Sequence, residues 1–117
     1  MMSADLFLVD GFGINATGLE WKSEEEIDEI LEERGHNDLR NYIESVSSNP
    51  LLYCNMNGEI YIYAESVYPI ARSADQLLTK EELAIKIQTA INPFIVDGVT
   101  LEEITSILGG VFDWEVC

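Results

Sequence analysis

Apolar residues recur along this chain with two periods, one of three to four residues and one of two, and each change of period marks a helix giving way to a strand. Ile27, Ile30 and Leu31 follow Ser23 at helical spacing and precede Gly35, which predicts a helix over 24–34 with the glycine in a left-handed position just past its end. Leu39, Tyr42, Ile43 and Val46 predict a second helix over 38–46, capped by Asn37 and closed by Asn49 and Pro50. Leu83, Ala84, Ile87, Ala90 and Ile91 predict a third over 80–91, which must stop near Asn92 because Pro93 follows. A fourth spans 101–108, ended by Gly109 and Gly110. Three of these starts carry a capping signal, and two of the three are marked twice. Ser23 with Glu26, Thr79 with Glu82 and Thr100 with Glu103 have capping-box spacing, and Leu78 with Leu83 and Val99 with Ile104 stand where a hydrophobic staple would close.

The period of two appears in 51–55 and 59–64, flanking Asn57-Gly58, and predicts a β-hairpin. A strict two-residue turn would place Ile60 and Ile62 on the face of Asn55 and Tyr53. A three-residue loop with Gly58 as a bulge would align them with Cys54 and Leu52. The second arrangement is the one expected, because it collects the isoleucines on one face and leaves Tyr53, Tyr61 and Tyr63 together on the other. Residues 4–9 and 111–116 supply outer strands, the latter alternating Phe112, Trp114 and Val116 against Asp113 and Glu115, with the acidic face wet. Tyr68-Pro69 marks a break, and 73–78 a short turn or helix. With no repeat or linker, the whole of 1–117 reads as one α+β domain: a small antiparallel sheet built on a central β-hairpin, packed against about four helices.

Composition changes the picture through charge. The chain has 22 Asp and Glu against 6 Lys and Arg, a formal net charge of -16 on 117 residues, yet 47% of it is hydrophobic. It therefore has the means to fold rather than the composition of a disordered chain. No apolar stretch approaches a membrane span, and no basic residue precedes Leu6 to Val9 as a secretory signal requires, so a cytoplasmic location is expected. Cys54 and Cys117 lack the spacing of a disulfide framework, and Cys54 is expected as a buried apolar side chain. The glycosylation sequon at Asn15, without a secretory signal, is read as chance.

Chemistry finds little purchase. His36 is the only histidine, which removes the usual zinc sets, and no G-x-S-x-G turn surrounds a serine. Gly11-Phe12-Gly13 follows a strand but lacks the third glycine of a dinucleotide fingerprint. Phosphate and nucleic acid would meet like charge everywhere. The expectation is a non-enzyme without cofactor or metal site, with weak divalent binding by carboxylates left open.

What remains is Glu20, Glu24, Glu25, Glu26, Asp28, Glu29, Glu32 and Glu33, opposed only by Lys22. On a helix Glu25, Asp28, Glu29, Glu32 and Glu33 occupy neighbouring turns of the exposed side, a stripe suited to Arg and Lys. A second acidic region comprises Asp97, Glu102, Glu103, Asp113 and Glu115, since no base follows Lys86. Duplex DNA carries one charge per roughly 1.7 Å, so a surplus of this size matches about 27 Å of duplex. In this general character the chain resembles the small acidic inhibitors of phages and mobile elements, of anti-CRISPR or anti-restriction type. The resemblance implies stoichiometric binding to a basic, nucleic-acid-binding surface of a nuclease or defence complex, as a nucleic-acid mimic. The expected partner-binding residues are the five acids of that stripe together with Tyr53, Tyr61 and Tyr63. An immunity protein against a nuclease toxin would use the same physics, and a small acidic domain with a carboxylate metal or catalytic site is the third class.

Overall fold

The computed structural model describes residues 6–46, 51–65 and 80–116. Along them run β1 (Leu6–Asn15), α1 (Glu24–Glu33), α2 (Leu39–Ser45), β2 (Leu52–Met56), β3 (Glu59–Glu65), α3 (Lys80–Ile91), a 3-10 turn (Asn92–Phe94), α4 (Leu101–Ile107) and β4 (Gly109–Val116). The strands form one antiparallel sheet in the order β2-β3-β1-β4. This is the α+β class that the alternation of periods predicts. The hairpin supplies one half of the sheet. β1, expected as an outer strand over 4–9, instead continues to Asn15 and lies inside, because both of its edges are paired.

The helix starts follow the capping signals with one difference in detail. Ser23 Oγ accepts the Glu26 N–H at 3.2 Å and donates to Glu26 Oε1 at 3.1 Å, and Thr100 and Glu103 repeat the pattern. Each glutamate thus closes on the hydroxyl of its cap rather than on the cap N–H. Gly35 ends α1 at φ 75°, and the His36 N–H returns to Leu31 O at 2.9 Å. α2 is capped by Asp38, not Asn37: the Asp38 carboxylate accepts the Asn41 N–H at 2.7 Å, and a negative charge suits the positive end of the helix. The Thr79 cap, the Leu78 staple, the turn over 73–78 and the stop at Asn49-Pro50 lie outside the described residues.

All four helices gather on one side of the sheet around Ile14, Ile43, Ile62, Ile87, Phe94 and Ile104, which are fully buried. Val99 and Ile104 are both buried, as the staple spacing requires. Trp21 and Ile95 form a small antiparallel bridge that ties the entry of α1 to the end of the 3-10 turn.

The hairpin overturns one expectation. Met56 pairs with Glu59 and Asn55 with Ile60, leaving Asn57 and Gly58 alone in the turn at φ 54° and 78°. Two successive positive φ values make a type I′ turn, whose twist matches that of the strands, and no bulge is needed. Ile60 and Ile62 consequently share their face with Tyr53, under the helices, while Tyr61 and Tyr63 face the other way opposite Cys54 and Leu52. The single tyrosine face does not form.

The second face is enclosed by curvature. In a flat sheet β2 and β4 would stand about 14 Å apart, three strand spacings. Here Asn57 Nδ2, at the hairpin tip, donates to Asp113 Oδ1 at 3.0 Å and Trp114 O at 3.1 Å. The sheet has curled until its two ends meet. Val9, Met56, Tyr61, Tyr63 and Val111 are buried inside the curl as a second cluster. Gly11 and Gly13 form its floor, for a Cβ on Gly11 would lie 2.2 Å from Ala64 O and 2.7 Å from a Tyr63 ring carbon, and one on Gly13 2.2 Å from Ile62 O and 2.7 Å from Tyr63 Cβ. That is the physical role of the G-x-G: it makes room for the backbone of β3 and for Tyr63, not for a pyrophosphate.

Candidate protein interaction surface

The α1 stripe is built as its spacing requires. Ile27, Ile30 and Leu31 turn inward, and Glu25, Asp28, Glu29, Glu32 and Glu33 are all exposed, with Glu24 and Glu26 beside them. No base occurs within the helix. Arg34, at its C-terminal cap, is drawn away by Tyr42: Nη1 donates to the tyrosine hydroxyl at 2.6 Å and the guanidinium lies 5.5 Å from the ring centre. From Glu25 to Glu33 the helix rises about 12 Å, so these five carboxylates average one charge per roughly 2.4 Å of axis, close to the density of a duplex.

The tyrosines are placed differently. Tyr53 is half-buried beneath α2, and its N–H donates to Glu44 Oε2 at 3.2 Å, which covers part of the outer edge of β2. Burial pushes its phenol pKa up. Tyr61 and Tyr63 are only 8% and 6% exposed and are core residues of the curl. The Tyr61 hydroxyl donates to Asp113 Oδ2 at 2.8 Å. Its pKa is pushed up to about 12, first by burial and then by that hydrogen bond, while the Asp113 carboxyl is held below its usual range by the bonds it accepts from Tyr61, Trp114 and Asn57. Asp113 is therefore a structural acid, and the second acidic region divides: Asp97, Glu102 and Glu103 are exposed, whereas Asp113 and Glu115 are half-buried at the curl.

β4 reverses the expected alternation. Val111 is buried in the curl, and Phe112 and Trp114 point to the helix side of the sheet beyond the reach of the helices, at 64% and 56% exposure. Across the ladder Trp114 pairs with Leu8, itself 51% exposed, and Phe112 pairs with Asp10. Leu8, Asp10, Phe112 and Trp114 thus form an exposed patch. Sequence reasoning missed it because the alternation of β4 reads equally well in either sense, and only the curl decides that its carboxylates turn inward.

The remaining candidates are quiet. His36 bonds through Nδ1 to Asn41 Oδ1 at 2.8 Å and meets the Tyr42 ring edge-on. Cys54 is half-buried, not fully, and partial burial raises its thiol pKa. The sequon residue Asn15 donates its side-chain N–H to Glu59. Among the described residues no group of three or more His, Cys, Asp or Glu converges as a metal ion requires, and no helix is long and apolar enough to cross a membrane. Compared with known proteins, the chain matches no family model, no curated sequence and no solved structure.

Proposed function

We propose that this protein is a non-catalytic acidic inhibitor that binds and occludes a basic, nucleic-acid-binding surface of a partner protein, such as a nuclease or a defence complex. The observation that carries this reading is the α1 stripe: five exposed carboxylates at near-duplex charge density on a helix with no base of its own. Like-charge pairs at i,i+4, such as Glu25/Glu29 and Glu29/Glu33, cost an isolated helix a few tenths of a kcal/mol each, and steering of a basic partner is what such a field offers in return. The stripe orients the encounter, and Lys and Arg of the partner take the places they would otherwise give to phosphates.

The test begins with capture of the partner from host lysate at low salt, followed by stopped-flow association of the purified pair. The Debye length falls from about 30 Å at 0.01 M salt to about 8 Å at 0.15 M, so the on-rate should drop steeply between them. E25Q/D28N/E29Q/E32Q should flatten that dependence in a protein that still folds. An on-rate indifferent to salt would sink the proposal.

A further inference from the structure

The acidic stripe steers but offers no surface to desolvate, and affinity in protein interfaces usually rests on a few aromatic anchors. From the exposed row on β1 and β4 we infer that Leu8, Asp10, Phe112 and Trp114 are the anchoring site, and that its occupant is an arginine-bearing segment of the basic partner. The inference rests on the acidic-binder reading and adds to it a place and a side chain.

The ladder fixes the geometry. Phe112 pairs directly with Asp10, and Trp114 with Leu8, so one carboxylate stands within a cross-strand spacing, about 5 Å between Cβ atoms, of an exposed aromatic ring. A guanidinium is the group that satisfies both, stacking flat on a ring while its N–H fork meets the carboxylate; an ammonium, being compact and strongly hydrated, does so less well. A cation already sits over an aromatic ring one register step away, where the Lys80 Nζ lies 5.6 Å from the centre of the Phe12 ring on the same face of β1.

Two other occupants fit less well. A second copy of the chain would bring another -16 to the contact. Strand addition along β4 is hindered at the patch itself, because the Trp114 N–H is taken by Asp113 Oδ1 at 2.8 Å and its carbonyl by Asn57. The contact is therefore made by side chains.

Nona-arginine and nona-lysine, titrated into the intact protein at about 0.01 M salt, test this directly. Nona-arginine should bind about tenfold more tightly and move the fluorine signal of Trp114 in fluorotryptophan-labelled protein; F112T/W114T should abolish the preference and leave nona-lysine binding unchanged. Equal affinity for the two peptides, or a preference that survives in F112T/W114T, overturns the patch as anchor while leaving the acidic-binder reading intact. Failure of both peptides to bind overturns that reading instead. Should F112T/W114T not fold, D10N takes its place, and a Trp114 signal that nona-arginine does not move counts against the proposal. A wild-type dimer in sedimentation, or a Trp114 shielded from acrylamide before any peptide is added, overturns it in favour of a second copy or of cover by the chain itself.

Discussion

The two faces of the sheet bury side chains by opposite means. Under the helices the core is mostly aliphatic, with Phe94 and Tyr42 among it, and Ile14, Ile62, Ile87 and Phe94 are sealed by residues arriving from other elements. On the other face no helix arrives among the described residues, and the sheet covers itself by curling over Tyr61, Tyr63 and Met56. A face that must be its own lid needs a floor without Cβ atoms, rings long enough to span the gap, and a polar seam where the two ends meet. Gly11 and Gly13, the tyrosines, and the Asn57–Asp113–Tyr61 bonds are those three parts. The helix-covered face depends on packed volume, the curled face on clearance and on hydrogen bonds.

Substitutions that separate volume from clearance can break this comparison. The largest effect belongs to Phe94→Ala, which leaves a cavity in the helix-side core and should cost about 3–5 kcal/mol in urea unfolding; a cost near zero would mean that the helices do not seal that face. Gly13→Ala should come next, at about 1–3 kcal/mol, because its methyl would meet the Ile62 carbonyl at 2.2 Å and Tyr63 beside it. Gly18→Ala, with nothing within 4 Å of the added carbon, is the control and should change little. If both alanines are tolerated alike, the glycine floor is not what permits the curl.

Tyr61→Phe keeps the ring and removes the Tyr61–Asp113 bond of the seam, for an expected loss of about 1 kcal/mol at neutral pH. Its signature is in the alkaline limb. The folded protein holds the Tyr61 proton up to about 12, whereas an unfolded tyrosine releases it near 10. The contribution is therefore intact below about pH 10 and is lost as pH rises toward 12. Asp113 acts in the opposite sense: its lowered carboxyl pKa gives a contribution present above the usual aspartate value and lost as pH falls through the folded one. Urea midpoints measured across both limits should show a shallower alkaline fall in Tyr61→Phe than in the wild type, and an unchanged profile would remove the Tyr61–Asp113 bond from the account.

The smallest effect sharpens the contrast between scaffold and surface. E25Q/D28N/E29Q/E32Q touches neither face of the sheet and should raise stability by no more than a few tenths of a kcal/mol per relieved pair. A large loss, read by thermal denaturation, would show that the stripe supports the fold.

Local rules alone determined the four helices, their caps at Ser23 and Thr100, the stop before Pro93 and the existence of the hairpin, because each depends on bonds or clashes within a few residues. The acidic side of α1 was legible for the same reason: three inward apolar residues at helical spacing leave the carboxylates nowhere but outside. Only the tertiary structure decided the rest. Both hairpin registers satisfy a period of two, and the choice between them, which parts Tyr53 from Tyr61 and Tyr63, lies in the twist of a type I′ turn. Which side of β4 faces water depends on a curl whose closing bonds join residues more than fifty positions apart. Alternation along a strand names two faces without saying which is in, and that is settled by what the rest of the chain lays against them.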